Sequence, residues 1–213
     1  VTAQAGGAFP LPFTTAVETR RHLRALRRGI PDEPRRAFDL AIRRELWHLQ
    51  VWRPGRRVAA FLGMPDEVDL RPCFDAAWRL GVRLYVPRVL SVRRGEMAFV
   101  PCARDARLEP NAFGIAEPVV PIAQRVSTLQ LDTILVPLVG FDAQCHRLGM
   151  GAGFYDRALR RRREHGQPFR RPRVIGVAYA IQQVERLEPA PWDVALDLVV
   201  TERSLLRRPP RLT

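Results

Sequence analysis

Apolar positions along this chain follow two alternating rhythms. Leu23, Leu26 and Ile30 fall at helical spacing with arginines on the remaining faces, which predicts an amphipathic helix over residues 17–29. The turn Pro31-Asp32-Glu33-Pro34 opens a second helix reaching about Gln50, with Phe38, Ile42, Leu46 and Leu49 inward. The short run from Arg57 to Leu62 reads as a buried strand. A helix over 69–80 follows, closed by Gly81. Val82 to Val86 is the next strand, ended by Pro87, and Glu96 to Val100 is a strand of alternating exposure. Residues 101–130 are proline-rich and read as an irregular loop bordering the site. Then come a strand over 131–136, a glycine-bearing loop, a helix from about Phe154 to Glu164, and strands at Val174–Tyr179 and Leu196–Thr201.

Strands separated by helices, with short apolar runs instead of strict alternation, imply a mostly parallel sheet covered on both faces. The expected fold is therefore α/β: a single domain of three α/β/α layers, with no internal repeat. Such sheets bind ligands at the carboxyl ends of their strands, where the glycine loop falls. The 213 residues divide into a tail over 1–17, a body over 18–205 and a basic tail over 206–213. Val1 to Thr15 has no basic residue ahead of its apolar positions and makes a poor secretory signal. No stretch approaches the roughly 20 apolar residues of a membrane helix. Three scattered cysteines, Cys73, Cys102 and Cys145, argue against a disulfide framework or a zinc site. The expected location is the cytoplasm. The four histidines, His22, His48, His146 and His165, have no metal-ligand spacing.

A net charge of +13 raises the question of nucleic acid. Lysine is absent, so all 35 basic residues are arginine, and they spread along the chain. The one dense run, Arg160 to Arg163 with Arg170, Arg171 and Arg173 beyond it, has few aromatics to stack bases. It reads as a solvated basic face, attracting anionic substrates and polyanions weakly and without a specific nucleic-acid partner.

The richest chemistry lies in Arg147-Leu148-Gly149-Met150-Gly151-Ala152-Gly153-Phe154-Tyr155-Asp156-Arg157, just after the apolar run Ile134 to Val139. Alternating glycines let backbone N–H groups approach an oxyanion, and the helix that follows adds its positive end. Arg147 can clamp a phosphate with its planar fork. Asp156 is a hard oxygen ligand suited to Mg²⁺ travelling with a nucleotide, or alternatively a helix cap. Phe154 stands where a dinucleotide fingerprint needs its third glycine, and a P-loop needs the lysine this chain lacks.

This loop, preceded by Pro137-Leu138-Val139-Gly140-Phe141-Asp142, resembles that of the 5-formyltetrahydrofolate cyclo-ligase family. Further matches are Arg20 and Arg24, Phe61 to Asp69, Phe113-Gly114-Ile115 with Glu117-Pro118, Gly176 to Tyr179 with Gln182, and Asp193 with the ending Leu196 to Glu202. The resemblance spans about residues 18–203. It implies ATP- and Mg²⁺-dependent cyclisation of 5-formyltetrahydrofolate to 5,10-methenyltetrahydrofolate. It assigns Arg147, Tyr155 and Asp156 to catalysis, and Arg20, Arg24 and Arg147 through Tyr155, including Leu148, Met150 and Ala152, to ATP. Leu62, Glu67 and the backbone of Met150, Gly151, Ala152, Gly153 and Phe154 would face the folate, with or without a polyglutamate tail. Asp156 and Asp193 would hold Mg²⁺. The family usually has lysine at Arg20, glycine at Cys145 and histidine at Trp192. A monomer is the simplest expectation. A non-catalytic nucleotide- or folate-binding regulator on the same scaffold stays open beside the enzyme, as does, more remotely, a basic RNA-associated protein.

Overall fold

The computed structural model describes residues 15–164 and 171–209. Most of the tail read over 1–17, Arg170, His165 and residues 210–213 of the basic tail lie outside the described residues. Four α-helices are present among them: α1 (Ala16–Arg28), α2 (Asp32–His48), α3 (Arg71–Arg79) and α4 (Phe154–Glu164). Thr15 starts α1, its hydroxyl accepting from the Glu18 N–H at 3.2 Å. Gly81, at φ 73°, takes the left-handed turn beyond α3.

The strands are β1 (Arg57–Ala59), β2 (Arg83–Ser91), β3 (Glu96–Pro101), β4 (Leu108–Pro110), β5 (Ala116–Pro118), β6 (Thr133–Pro137), β7 (Gly140–Phe141), β8 (Arg147–Leu148), β9 (Arg173–Val177), β10 (Leu198–Val200) and β11 (Leu205–Arg207). Seven form one sheet in the order β11-β10-β9-β6-β1-β2-β3. Its centre is parallel, and β11 and β3 close the edges antiparallel. The expected architecture is thus present, with antiparallel edges added. The boundary read at residue 205 falls inside β11.

Both faces of the sheet are dry. Val58, Leu84, Val86, Leu135, Ile175 and Val177 pack with Ile42 and Leu46 of α2 and Phe74 and Ala77 of α3. The alternate residues Ala59, Tyr85, Ile134, Val136 and Val174 pack on the other side with Leu159 of α4. This two-sided burial is why these strands read as apolar runs.

Two expectations differ from what is found. Pro87 does not end β2, which runs on to Ser91. The β1 register stops at Tyr85, so at Pro87 only β3 lies alongside, pairing through Phe99, and no inner neighbour needs the missing N–H. Residues 101–130 also contain a small β4–β5 hairpin. Side chains hold it: Glu117 Oε1 accepts from the Val89 N–H at 2.8 Å and from Asn111 Nδ2 at 2.7 Å. At its tip Phe113 meets Phe154 edge-on, with ring centroids 6.1 Å apart.

α1 covers the carboxyl end of the sheet instead of a face. Leu23 packs with Val139, Leu148 and Val184 over the β7–β8 hairpin. A Cβ at Gly140 would lie 2.5 Å from Leu23 Cδ1, so α1 seats only because that position is bare. Gly140→Ala is expected to lower stability by about 1–3 kcal/mol, the usual cost of overpacking. Adding Leu23→Ala should recover part of the loss in a double-mutant cycle by denaturant unfolding. Strict additivity would mean that this contact does not seat the helix.

Candidate active site

The chain leaves β6 at Pro137, turns through the β7–β8 hairpin and enters the glycine loop. Asp142, fully buried, shapes the hairpin. Its carboxylate accepts from the N–H groups of Gln144 (3.0 Å), His146 (2.9 Å) and Leu187 (3.1 Å), and pairs with His146 Nδ1 at 2.9 Å. His146 is therefore a partner of the turn. Cys145, where the resemblance leads one to expect glycine, has φ 62°. The position does require the left-handed region, at a cost of roughly 1 kcal/mol for a residue with a Cβ. The thiol is buried, and burial pushes its pKa up to about 11.

Within the loop, Gly151 has φ 99° and Gly153 φ 69°. At these angles a residue with a Cβ would be strained, so the loop's shape calls for glycine. Two guanidinium groups hold loop carbonyls: Arg20 Nε donates to Gly149 O at 2.8 Å, and Arg157 Nη1 to Ala152 O at 2.5 Å. Arg20, Arg21, Arg24 and Arg28 line a groove of about 340 Å³ with Val17 and the exposed Met150. Among the described residues the buried Arg24 Nε–H has no hydrogen-bond partner. Arg20 and Arg24 therefore both lie beside the loop.

Arg147 is buried and paired. Its side chain is only 5% exposed and donates to Asp156 Oδ1 and to Val194 O. Burial lowers its pKa, while Asp156, Asp193 and Tyr155 push it up. The Val194 N–H also donates to Asp156 Oδ1, at 3.3 Å. Asp156 thus ties α4 to the 190–194 segment, where Asp193 Oδ2 accepts from the Ala190 N–H at 2.8 Å. Asp156 and Asp193 both act on Arg147 across this junction. Among the described residues no group of three or more His, Cys, Asp or Glu forms a metal cage. Two carboxylates beside a phosphate cradle do fit Mg²⁺ that arrives on a nucleotide, since such an ion takes one or two carboxylates and completes its shell with phosphates and water.

On the other side, beyond β1, Leu62 is half-buried against the α2–α3 core. Glu67 Oε2 accepts from the Met64 N–H at 3.0 Å. Burial raises the Glu67 pKa, and Arg27 opposes the rise. The Tyr155 hydroxyl is raised by burial and then by Glu67, which places the glycine-loop tyrosine within electrostatic reach of the 62–67 segment.

Arg27 is the site residue that sequence reasoning missed. It is 1% exposed. Its Nε donates to Asp66 Oδ2 at 3.0 Å, and its Nη1 to Glu67 Oε1 at 3.3 Å and Leu138 O at 3.2 Å. One signal could have found it: Arg27 falls between Leu23 and Ile30 on the apolar stripe of α1, where a solvated arginine does not belong. Trp192, in contrast, is 65% exposed beside Asp193.

A doubly covered, mostly parallel sheet with an arginine-flanked glycine loop at its carboxyl ends defines a small single-domain α/β protein. A family model described as the 5-formyltetrahydrofolate cyclo-ligase family matches residues 14–202. The 5-formyltetrahydrofolate cyclo-ligase of Escherichia coli K12 is 35% identical over 144 residues, 68% of this chain and 76% of that protein. The Haemophilus influenzae enzyme of the same name is 28% identical over 185 residues, 86% of this chain and 96% of its own length. The NMR structure of Aquifex aeolicus 5,10-methenyltetrahydrofolate synthetase superposes with a TM-score of 0.77 at 33% identity, covering 93% of this chain and 95% of that one. The chain belongs to the 5-formyltetrahydrofolate cyclo-ligase family. No helix among the described residues is long and apolar enough to cross a membrane.

Arg27→Met keeps much of the side-chain volume and removes the charge. It is expected to cost about 3 kcal/mol or more in denaturant unfolding, because Glu67 and Asp66 lose a buried partner. A change under about 1 kcal/mol would show that the network does not hold α1.

Proposed function

We propose that the chain is an ATP-dependent 5-formyltetrahydrofolate cyclo-ligase that forms 5,10-methenyltetrahydrofolate, ADP and phosphate. Family membership supports the reaction. One observation supports its location: Arg20 and Arg24 line a groove beside the glycine loop, and Glu67 acts electrostatically on Tyr155 at the loop's end.

In this reading the triphosphate lies along the loop from Arg147 to Tyr155, between the backbone N–H groups of Leu148 to Phe154 and the guanidinium groups of Arg20 and Arg24. The folate lies across Met150 to Phe154, bounded by Leu62, with the Glu67 carboxylate accepting a hydrogen bond from the pterin. The formyl oxygen attacks the γ-phosphorus and ADP departs. The N10 lone pair then attacks the formyl carbon, the C–O bond breaks with loss of phosphate, and N10 gives up its proton as the five-membered ring closes. Such transfers depend on alignment and charge neutralisation more than on covalent help from the protein. Arg147 acts here by fixing Asp156 and the 190–194 segment. Asp156 and Asp193 would hold Mg²⁺, which neutralises charge on the phosphates. Arg20 in place of lysine presents a fork that binds a loop carbonyl through Nε and leaves its terminal amines for phosphate.

Purified protein given Mg·ATP and 5-formyltetrahydrofolate is expected to produce the near-ultraviolet absorbance of the methenyl product. Asp156→Asn, which keeps an acceptor for Arg147, should reduce turnover roughly 100-fold or more while leaving the circular dichroism unchanged. Folded protein that binds both ligands without product would identify a regulator instead.

A second expectation concerns pH. Glu67 must be ionised to accept from the pterin, and burial already lifts its pKa. Arg27 opposes that lift, so its removal raises the pKa further. In Arg27→Met the acid limb of kcat/KM should therefore move to higher pH than in the parent protein. A limb that stays in place would remove Glu67 from the essential groups.

A further inference from the structure

The strands β1, β2, β6 and β9 begin side by side at the end of the sheet opposite the glycine loop. A cavity of about 390 Å³ opens there, lined by Arg56, Arg57, Arg83, Arg171, Gln130 and Asp132 among others. Four guanidinium groups face one carboxylate, and that carboxylate is already in use. Asp132 Oδ1 accepts from Arg56 Nη1 at 3.1 Å and pairs with Arg171 Nη1 at 2.8 Å, and Oδ2 accepts from the Arg57 N–H at 2.9 Å. Asp132 therefore neutralises part of the charge and fixes two arginines at the rim. Arg83 is steadied through Nη2, which donates to Gly55 O at 3.2 Å.

Arg57 sets this cluster apart from a solvated basic surface. Among the described residues its buried Nε–H has no hydrogen-bond partner. A buried charged donor without an acceptor is unfavourable, so the positive charge gathered around the cavity is only partly compensated within the protein. We propose that this cavity is a second anion site, separate from the glycine loop, for a small ligand bearing phosphate. Charge and geometry favour that class. The arginines converge on a concave space from the starts of adjacent strands, and their forks match phosphate oxygens. Among the described residues no aromatic side chain lines the cavity to stack a base, which disfavours single-stranded nucleic acid.

Inorganic pyrophosphate, titrated into the ¹⁵N-labelled full chain, tests this site by site. The Gly55 and Gln130 amides report the cavity, and the Gly151 and Gly153 amides report the glycine loop. Pyrophosphate should shift the Gly55 and Gln130 amides in a saturable way. Arg57→Gln combined with Arg83→Gln should weaken that response about tenfold or more, leaving turnover and the Gly151 and Gly153 response unchanged. The Arg57 backbone N–H keeps its bond to Asp132 in this variant, so the fold is retained. Arg104→Gln with Arg107→Gln, at side chains 67% and 78% exposed, removes equal charge elsewhere and should have no such effect. The proposal is overturned if the cavity amides stay unmoved, or if the two double variants weaken binding equally. It is also overturned if a single-stranded RNA displaces pyrophosphate from these amides at lower concentration. Because cavity and glycine loop are read from separate amides, none of these outcomes bears on the cyclo-ligase activity.

Discussion

One buried guanidinium organises the functional end of this protein. Arg27 leaves α1, passes into the interior at 1% exposure, and joins the loop after β1, through Asp66 and Glu67, to the loop after β6, through Leu138 O. A buried ion network of this kind adds little net stability over apolar packing, because desolvation offsets most of the attraction. Its value lies in what it forbids. α1 cannot slide or rotate without stranding a charge in a dry interior, so Arg20 and Arg24 are held at fixed positions beside the glycine loop. Leu23 against the bare Cα of Gly140 provides the complementary steric stop.

The glycine loop is shaped from both flanks. α1 holds Gly149 O through Arg20, and α4 holds Ala152 O through Arg157. Arg147, the most conspicuous basic residue of the motif, is buried and donates to Asp156 and to Val194 O. Upstream, Cys145 tolerates a left-handed backbone because Asp142 satisfies the whole turn from inside. The strain stays local, and the hairpin that launches the loop is intact.

Arginine has several structural uses in a chain without lysine. Arg27 and Arg147 are buried and paired, Arg20 and Arg157 grip carbonyls, and Arg56 and Arg171 gather on Asp132. A planar, always charged fork suits each of these tasks better than a point charge on a flexible stem. The net charge of +13 is therefore a poor guide to partners, since part of it is spent inside the fold.

The sequence by itself determined the alternation of helices and buried strands, the loop with its alternating glycines, and the pairing of Arg20 with Arg24. Each rests on local rules: periodicity, the bare Cα of glycine, and four-residue spacing on a helix. Wherever a non-local partner overrides the local signal, only the tertiary structure decided. Pro87 remains in a strand because β1 has already ended, and the β4–β5 hairpin exists because Glu117 reaches Val89 and Asn111. Arg27 reads as one arginine among many until the loops carrying Asp66 and Leu138 are folded around it. The burial of Arg147 likewise waits on Asp156 and Val194. A guanidinium can face water or be buried, and the choice depends on acceptors from distant segments whose positions no local pattern encodes.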